Sequence, residues 1–268
     1  MPAAGFHSPH VKAARLLHTK KHRAQARCFL IEGPTLLTAA LDAGAVPASV
    51  FVGRDADQTE RAAATRAQAA GAAAFDVDAR TLASLSQTRA PQGVVAQLSY
   101  VDEPLEKVAA GLPASGPLTL LILDDLDDPG NAGTLVRSAE AFGAGAVCFG
   151  PESVDPYNDK LVRATMGSLF RVPIVRYRDW GHIQSVLRAA RVQTVGSAAA
   201  ASDICSVDLE DRVALVLGNE RRGLQALQNI ERTVGIPQKP AGDSLNVAVA
   251  GSILLYELAR RRVRTTRG

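Results

Sequence analysis

Five apolar runs in the second half of the chain, Leu118 to Leu123, Ala146 to Phe149, Val172 to Val175, Thr194 to Val195 and Val213 to Leu217, carry no polar alternation. A strand with one wet face alternates and a strand covered on both faces does not, so these runs predict a mostly parallel sheet clad by helices. The stretches between them read as those helices: Ala132 to Phe142 closed by Gly143, Asn158 to Met166, Trp180 to Ala190, and a long last one from Asn246 to Arg262. The last ends in Arg260, Arg261, Arg262, Arg264 and Arg267, cations that suit a helix C-terminus and are useful to a polyanion. The fold class that follows is α/β.

Short apolar runs and helical patterns also alternate earlier in the chain. Cys28 to Ile31, Val50 to Val52, Ala74 to Val77 and Val94 to Leu98 read as strands, with helices over Pro34 to Ala43 and Asp57 to Ala70. That is a second, smaller α/β domain. Between Tyr100 and Pro117 lie Pro104, Gly111, Pro113, Gly116 and Pro117, a concentration of chain breakers. The predicted division is a domain over 1–100, a linker over 101–117 and a domain over 118–268, which suits a chain of 268 residues.

Composition narrows the function classes. With 47% hydrophobic and 21% charged residues and a mean hydropathy of +0.03, the chain is neither disordered nor collagen-like. Aromatic residues make up 4%, which argues against a module that grips single strands by stacking bases on exposed rings. Cys28, Cys148 and Cys205 lie far apart with no C-x-x-C spacing, so neither a disulfide framework nor a metal site is expected, and all three read as reduced, buried thiols. No stretch approaches the ~18 apolar residues of a membrane span, and no leader is evident, so the expectation is a cytoplasmic protein with no membrane partner.

The net charge of +3 is too small to identify a partner, but its distribution is uneven. Residues 1 to 27 carry Lys12, Arg15, Lys20, Lys21, Arg23 and Arg27 with four histidines and no acid. Ser8-Pro9 reads as a cap followed by a first-turn proline, and Val11, Ala14, Leu17 and Lys21 fall three or four apart, so the run predicts one amphipathic helix with a basic face. Such a face suits nucleic acid; it is also what a solvated surface helix looks like.

Three segments follow the carboxyl ends of predicted strands, where open α/β sheets place ligands. The first runs from Leu123 to Arg137, Leu-Asp-Asp-Leu-Asp-Asp-Pro-Gly-Asn-Ala-Gly-Thr-Leu-Val-Arg. Asn131 is positioned to cap a helix starting at Ala132, and Arg137 lies about one and a half turns further in, where both side chains could meet one pocket. The plainer alternative is a capped turn with Arg137 paired to Glu140. The second is Val216-Leu217-Gly218-Asn219-Glu220-Arg221-Arg222-Gly223-Leu224, a strand entering a glycine-flanked turn with a carboxylate at its tip. The third, from Ile236 to Ala250, is a polar loop ending at a helix start, with Ser244 or Asn246 available as the cap. Each alone is a capped helix or an ordinary turn.

In their order, and with Val154-Asp155-Pro156-Tyr157 and Arg163 to Pro173 between them, the three segments resemble the SpoU (TrmH-like) branch of the SPOUT family of S-adenosylmethionine-dependent RNA ribose 2′-O-methyltransferases. The resemblance covers roughly residues 118 to 262. More weakly, Arg27 to Gly33 and Gln92 to Ala96 resemble that family's ribosomal-protein-like substrate-binding domain. The resemblance implies a parallel-sheet catalytic domain with a deep trefoil knot, a homodimer formed through it, S-adenosylmethionine as cofactor and rRNA or tRNA as partner. One departure is visible: Arg221 stands where many members have glycine after the motif glutamate.

By the same resemblance, the backbone around Leu217, Gly218, Ile236 and Leu245 holds the cofactor, with Ser197 at the rim. Arg137 is implied as base or as clamp, with Asn131, Glu220, Ser244 and Asn246 as its catalytic neighbours; charge alone motivates Lys20, Lys21, Arg23 and Arg27 as RNA contacts, joined by Glu32 in the segment that resembles the substrate-binding domain. An arginine is protonated at any ordinary pH, which favours a clamp on phosphate or a stabiliser of the forming alkoxide. Two other classes stay open to comparison. A non-catalytic structured-RNA-binding protein needs the basic run but not three glycine-punctuated loops at one sheet edge. A dinucleotide-binding enzyme needs G-x-G-x-x-G after its first strand, a spacing that Gly130-Asn131-Ala132-Gly133 lacks.

Overall fold

A computed structural model describes residues 1–219, 223–224, 229–239 and 244–265, the side chains beyond 262 excepted. In chain order come α1 (Pro9–Leu16), α2 (Lys20–Ala26), β1 (Cys28–Glu32), α3 (Pro34–Asp42), β2 (Ser49–Gly53), α4 (Gln58–Ala69), β3 (Ala73–Val77), α5 (Ala79–Ala83) and β4 (Val94–Ser99). There follow β5 (Asp102–Glu103), α6 (Leu105–Gly111), β6 (Leu118–Leu123), α7 (Pro129–Ala141), β7 (Val147–Phe149), α8 (Asp159–Ala164), β8 (Ile174–Arg176), α9 (Trp180–Ala189), β9 (Gln193–Ser197), β10 (Arg212–Leu217), β11 (Arg232–Val234) and α10 (Val247–Thr265). They divide into two units: residues 1–101 with 155–171, and residues 102–154 with 172 onward.

The first unit has a sheet of order β1-β4-β2-β3 among the described residues. β4 runs antiparallel to β1 and β2, and β3 lies parallel to β2. Its core gathers Val11, Ala14, Phe51, Val77, Leu82 and Val95. Ser8 caps α1 as expected, its Oγ accepting from the Val11 amide at 3.3 Å.

The single basic helix does not form. Thr19 adopts extended backbone and its Oγ1 accepts from the His22 amide, starting α2 anew. The carbonyls of Leu17 and His18 left open at the break accept from Arg23 Nη1, each at 3.1 Å. Arg23 itself is only 5% exposed, with Nη2 2.8 Å and Nε 3.1 Å from Asp155 Oδ2. Removing one partner of such a buried pair typically costs about 3–5 kcal/mol, because the other charge is left without compensation.

Asp155 opens the stretch expected within the second domain, yet residues 155–171 belong to the first unit. Tyr157 explains why: its ring stacks on Tyr100 with centroids 3.7 Å apart and packs on Phe29 at 4.7 Å, while its hydroxyl accepts from the Val101 amide at 2.8 Å. The expected linker is also not one. β5 pairs in parallel with β8 and α6 follows it, so the second unit begins at Asp102. The breakers at Pro104, Gly111 and Pro113 delimit that short helix.

The second unit carries a sheet of order β11-β9-β10-β6-β7-β8-β5 among the described residues, every pairing parallel. β6 at its centre is buried along its whole length, as its unbroken apolar run predicts. β11 went unread because Arg232 and Thr233 are exposed and leave one buried apolar residue, Val234. α7 starts earlier than expected: Asp128, not Asn131, is the cap, its Oδ1 accepting from the Asn131 amide at 2.7 Å with Pro129 in the first turn. At the start of α10, Asn246 Oδ1 accepts from the amides of Ala248 and Val249. Gly251 lets α10 approach closely, since a Cβ there would lie 2.5 Å from methyls of Leu135 and Leu217.

The cysteines differ in environment. Cys148 is buried, which pushes its thiol up to about 12. Cys28 is half-buried and Cys205 exposed, correcting the expectation that all three are internal. No helix among the described residues is long and apolar enough to cross a membrane.

Candidate functional site

The chain leaving β9, β10 and β11 and the start of α10 wall a cavity of about 670 Å³ in the second unit. Ser197, Leu217, Gly218, Ile236 and Leu245 all line it, as do Ser244 and Asn246. Seven residues chosen from three separate segments thus share one wall, because parallel strands deliver their following loops to the same sheet edge. Glu220 and Arg221 lie outside the described residues.

The wall carries no charged side chain among the described residues, and glycines, alanines and serines make up half of it. Gly218 fits only without a Cβ, which would meet the carbonyl of Gly223, and a Cβ on Gly235 would lie 2.8 Å from the Ala201 carbonyl oxygen and 2.9 Å from that of Ala198. The volume falls within the roughly 300–1,000 Å³ usual for small-molecule sites. Exposed amides and carbonyls at such places can read the edge of a heterocycle without a charged side chain. The residues present therefore fit an adenosine-bearing cofactor.

Asn131 lies outside the wall but reaches it: its Oδ1 accepts from Asn246 Nδ2 at 3.0 Å. Asp128, not Asn131, takes the capping bond of α7, and the Asn131 side chain meets Asn246 instead. Asn131, Thr134 and Arg137 then follow at i, i+3 and i+6 along one ridge of α7. Arg137 is exposed and, among the described residues, makes no hydrogen bond or ion pair, so the alternative pairing with Glu140 is not formed.

Sequence reasoning passed over Asn219. Its Nδ2 donates to the Asp125 carbonyl at 3.0 Å and to Asp127 Oδ2 at 3.4 Å, joining the loop after β10 to the loop after β6. Its place beside Gly218 was the available signal. The β6 loop is braced further. Ser153 Oγ accepts from the Leu126 amide and donates to the Leu123 carbonyl, and the Tyr177 hydroxyl donates to Asp124 Oδ1 at 2.5 Å. Burial raises the Asp124 carboxyl above the ordinary range against the lowering effect of that bond, and burial together with Asp124 raises Tyr177.

In the first unit, Lys20 and Lys21 are exposed in the first turn of α2, a position where cations oppose the helix dipole. Arg27 is exposed in left-handed backbone (φ 49°), its guanidinium 5.2 Å from the Tyr100 ring centroid. Arg23 and Glu32 do not present themselves to a ligand. Arg23 is enclosed by its bonds to Asp155 and two carbonyls. Glu32, 8% exposed, accepts from the hydroxyls of Ser86 and Thr88 and from the Gln92 amide, each at 2.8 Å. Both are internal struts, and charge alone cannot distinguish a strut from a contact.

Known proteins are similar to this chain in sequence and fold. The SpoU rRNA Methylase family matches residues 119–256, and the MRM3-like substrate binding domain matches residues 8–96. The 23S rRNA (guanosine(2553)-2'-O)-methyltransferase RlmP of Bacillus subtilis (strain 168) is 32% identical over 251 residues, covering 92% of this chain and 95% of that protein. The 23S rRNA (uridine(2479)-2'-O)-methyltransferase of Streptomyces viridochromogenes is 31% identical over 185 residues, 66% of this chain and 63% of that protein. The AdoMet-bound rRNA methyltransferase from Sinorhizobium meliloti superposes with a TM-score of 0.82 at 33% identity, covering 95% of each chain. With three loops and a helix start walling one cofactor-sized cavity, and with matches running nearly end to end, the chain belongs to the SpoU rRNA methylase family.

Proposed function

We propose that the protein is an RNA ribose 2′-O-methyltransferase that takes its methyl group from S-adenosylmethionine and acts on ribosomal RNA. The observation that carries this reading is the cavity whose wall unites Ser197, Leu217, Gly218, Ile236, Ser244, Leu245 and Asn246. A module that only binds RNA has no use for such a cavity, and the S. meliloti relative holds AdoMet.

When bound, S-adenosylmethionine supplies an electrophilic methyl on a sulfonium. The remaining tasks fall to the chain. The wall at Leu217, Gly218, Ile236 and Leu245 grips the cofactor through backbone groups, with Ser197 at its rim. The ribose must be held in line and its 2′-hydroxyl must lose a proton. Asn246, fixed by its bond to Asn131, orients polar groups at the reacting centre, with Ser244 as a further polar neighbour. Arg137, exposed and without a partner among the described residues, is available to hold RNA phosphate or to stabilise the developing alkoxide. Its permanent charge suits either task better than proton abstraction. Lys20, Lys21 and Arg27 serve as RNA contacts from the first unit.

Three further features belong to the same reading. A homodimer forms through the second unit: Val249, Ile253 and Tyr256 make an exposed apolar stripe along α10, continued by exposed Leu245 before it. The deep trefoil knot is consistent with a chain that leaves the sheet at edge strand β11 and returns through the cavity wall to pack α10 on Leu135 and Leu217. The location is cytoplasmic, with the ribosomal RNA.

The test is transfer of labelled methyl from S-adenosylmethionine to a 23S rRNA transcript, with 2′-O-methyl positions then mapped, alongside calorimetric titration of the cofactor. Saturable cofactor binding and one dominant modified ribose are expected. Absence of binding at millimolar cofactor would sink the reading.

A further inference from the structure

The first unit carries a cluster of cations that the catalytic assignment does not use. Phe6 lies against the guanidiniums of two arginines from different elements: the Arg15 carbon is 4.0 Å and the Arg80 carbon 4.8 Å from its ring centroid. Arg15 comes from α1 and Arg80 from α5, so tertiary structure, and not sequence proximity, brings them together. Arg15 is held further by donation from Nη2 to the Phe6 carbonyl at 3.0 Å. Lys12 lies three residues before Arg15, on the adjacent part of α1, and is exposed.

Among the described residues, none of Lys12, Arg15 and Arg80 has a carboxylate within ion-pair distance. Asp78, the acid nearest to Arg80 in sequence, is committed to the cap of α5, its Oδ1 accepting from the Thr81 amide at 2.7 Å. Like charges three residues apart on a helix repel, and two guanidiniums on one ring repel more. Cation–π contact fixes where the two head groups sit without neutralising them, and Asp78, held below its ordinary range chiefly by the Thr81 amide and more weakly by Arg54 and Arg80, offsets Arg80 without forming an ion pair with it. Planar guanidiniums held in place and without an ion-paired carboxylate among the described residues suit phosphate oxygens.

We infer that Lys12, Arg15 and Arg80, organised by the Phe6 ring, form a patch that binds phosphates of the RNA backbone and so fixes the register of the substrate on the first unit. The inference rests on the rRNA-methylating reading for its choice of polyanion. Phosphate contacts position a nucleic acid without selecting sequence, so the patch acts on affinity and salt dependence and leaves the choice of nucleotide to the second unit.

The experiment compares the full-length protein with the Lys12→Ala/Arg80→Ala variant, both side chains being exposed, in binding a fluorescent 23S rRNA transcript over a potassium chloride series. Affinity at moderate salt should fall about tenfold, and the slope of log affinity against log salt should flatten by about 1–2, one to two phosphate contacts being lost. Thermal midpoint and S-adenosylmethionine affinity should not move. A second variant, Phe6→Leu, keeps the charges and an apolar side chain but removes the ring; a loss of about threefold is expected, the scale of an exposed cation–π contact. Unchanged affinity and slope in the double variant would overturn the inference while leaving methyl transfer untouched. A wild-type chain that binds the transcript but never S-adenosylmethionine would overturn the catalytic reading, and a weakened double variant would still support the patch.

Discussion

The described wall of the cavity in the second unit is backbone and uncharged side chains delivered by strand ends, whereas the RNA-facing candidates of the first unit are the tips of long cationic side chains on helices and loops. A wall of the first kind is intolerant of added atoms and nearly indifferent to salt. A surface of the second kind tolerates substitution one residue at a time and responds to ionic strength. The difference predicts which unit governs catalytic competence and which governs encounter with RNA.

The sharpest way to break that comparison is Arg137, a long cation that belongs to the second unit. Arg137→Ala should lower methyl transfer by about 10²–10³-fold or more, the scale of a lost transition-state donor, with cofactor affinity and thermal midpoint unchanged. Arg137→Lys separates its roles: a simple phosphate clamp retains partial activity, and a bidentate contact does not. Wild-type rates in Arg137→Ala would remove the residue from the site.

Arg23 is the next test, since it is a cation of the first unit with no access to ligand. Arg23→Ala should lower stability by about 3–5 kcal/mol in denaturant unfolding, and the paired replacement Arg23→Met/Asp155→Leu should recover much of it. If Arg23→Ala instead folds normally and flattens the salt dependence of RNA binding, the distinction between strut and contact fails.

Gly218→Ala probes the cavity wall. Its methyl has nowhere to go against Gly223, and overpacking of about 1–3 kcal/mol corresponds to roughly 5- to 150-fold weaker cofactor binding, read by calorimetry. The smallest effect is expected for Lys20→Ala/Lys21→Ala, which should flatten the salt slope of RNA binding by about 1–2 without altering cofactor affinity. Removing first-turn cations should leave α2 as stable or slightly more so, because they oppose its dipole.

The two units also differ in how far their residues could be read in sequence. The parallel sheet was legible in its unbroken apolar runs, and every described cofactor candidate lines the cavity, because the order of strand ends in the chain maps onto one sheet edge. Asn131 is not a cap: Asp128 and Pro129 start α7 three residues earlier than the sequence predicts, and the Asn131 side chain meets Asn246. Side-chain charge was a poorer guide. Arg23 and Glu32 look like ligand contacts in a basic run and beside a glycine, and only the partners that surround them, Asp155, Ser86 and Thr88, reveal them as internal. The Phe6 cluster was invisible because Arg80 lies 65 positions from Arg15.

That residues 155–171 complete the first unit bears on synthesis. Until residue 157 has been made, Phe29 and Tyr100 lack the ring that packs on them, and until residue 155 Arg23 lacks its counter-charge. By then β6, α7 and β7 of the other unit are already translated. Vectorial synthesis therefore cannot finish the amino-terminal unit first, the usual order for consecutive domains. A gene fragment cut at the apparent boundary near residue 101 would encode an unfinished body with an uncompensated buried cation, so a separable binding module must carry residues 155–171 grafted back onto it.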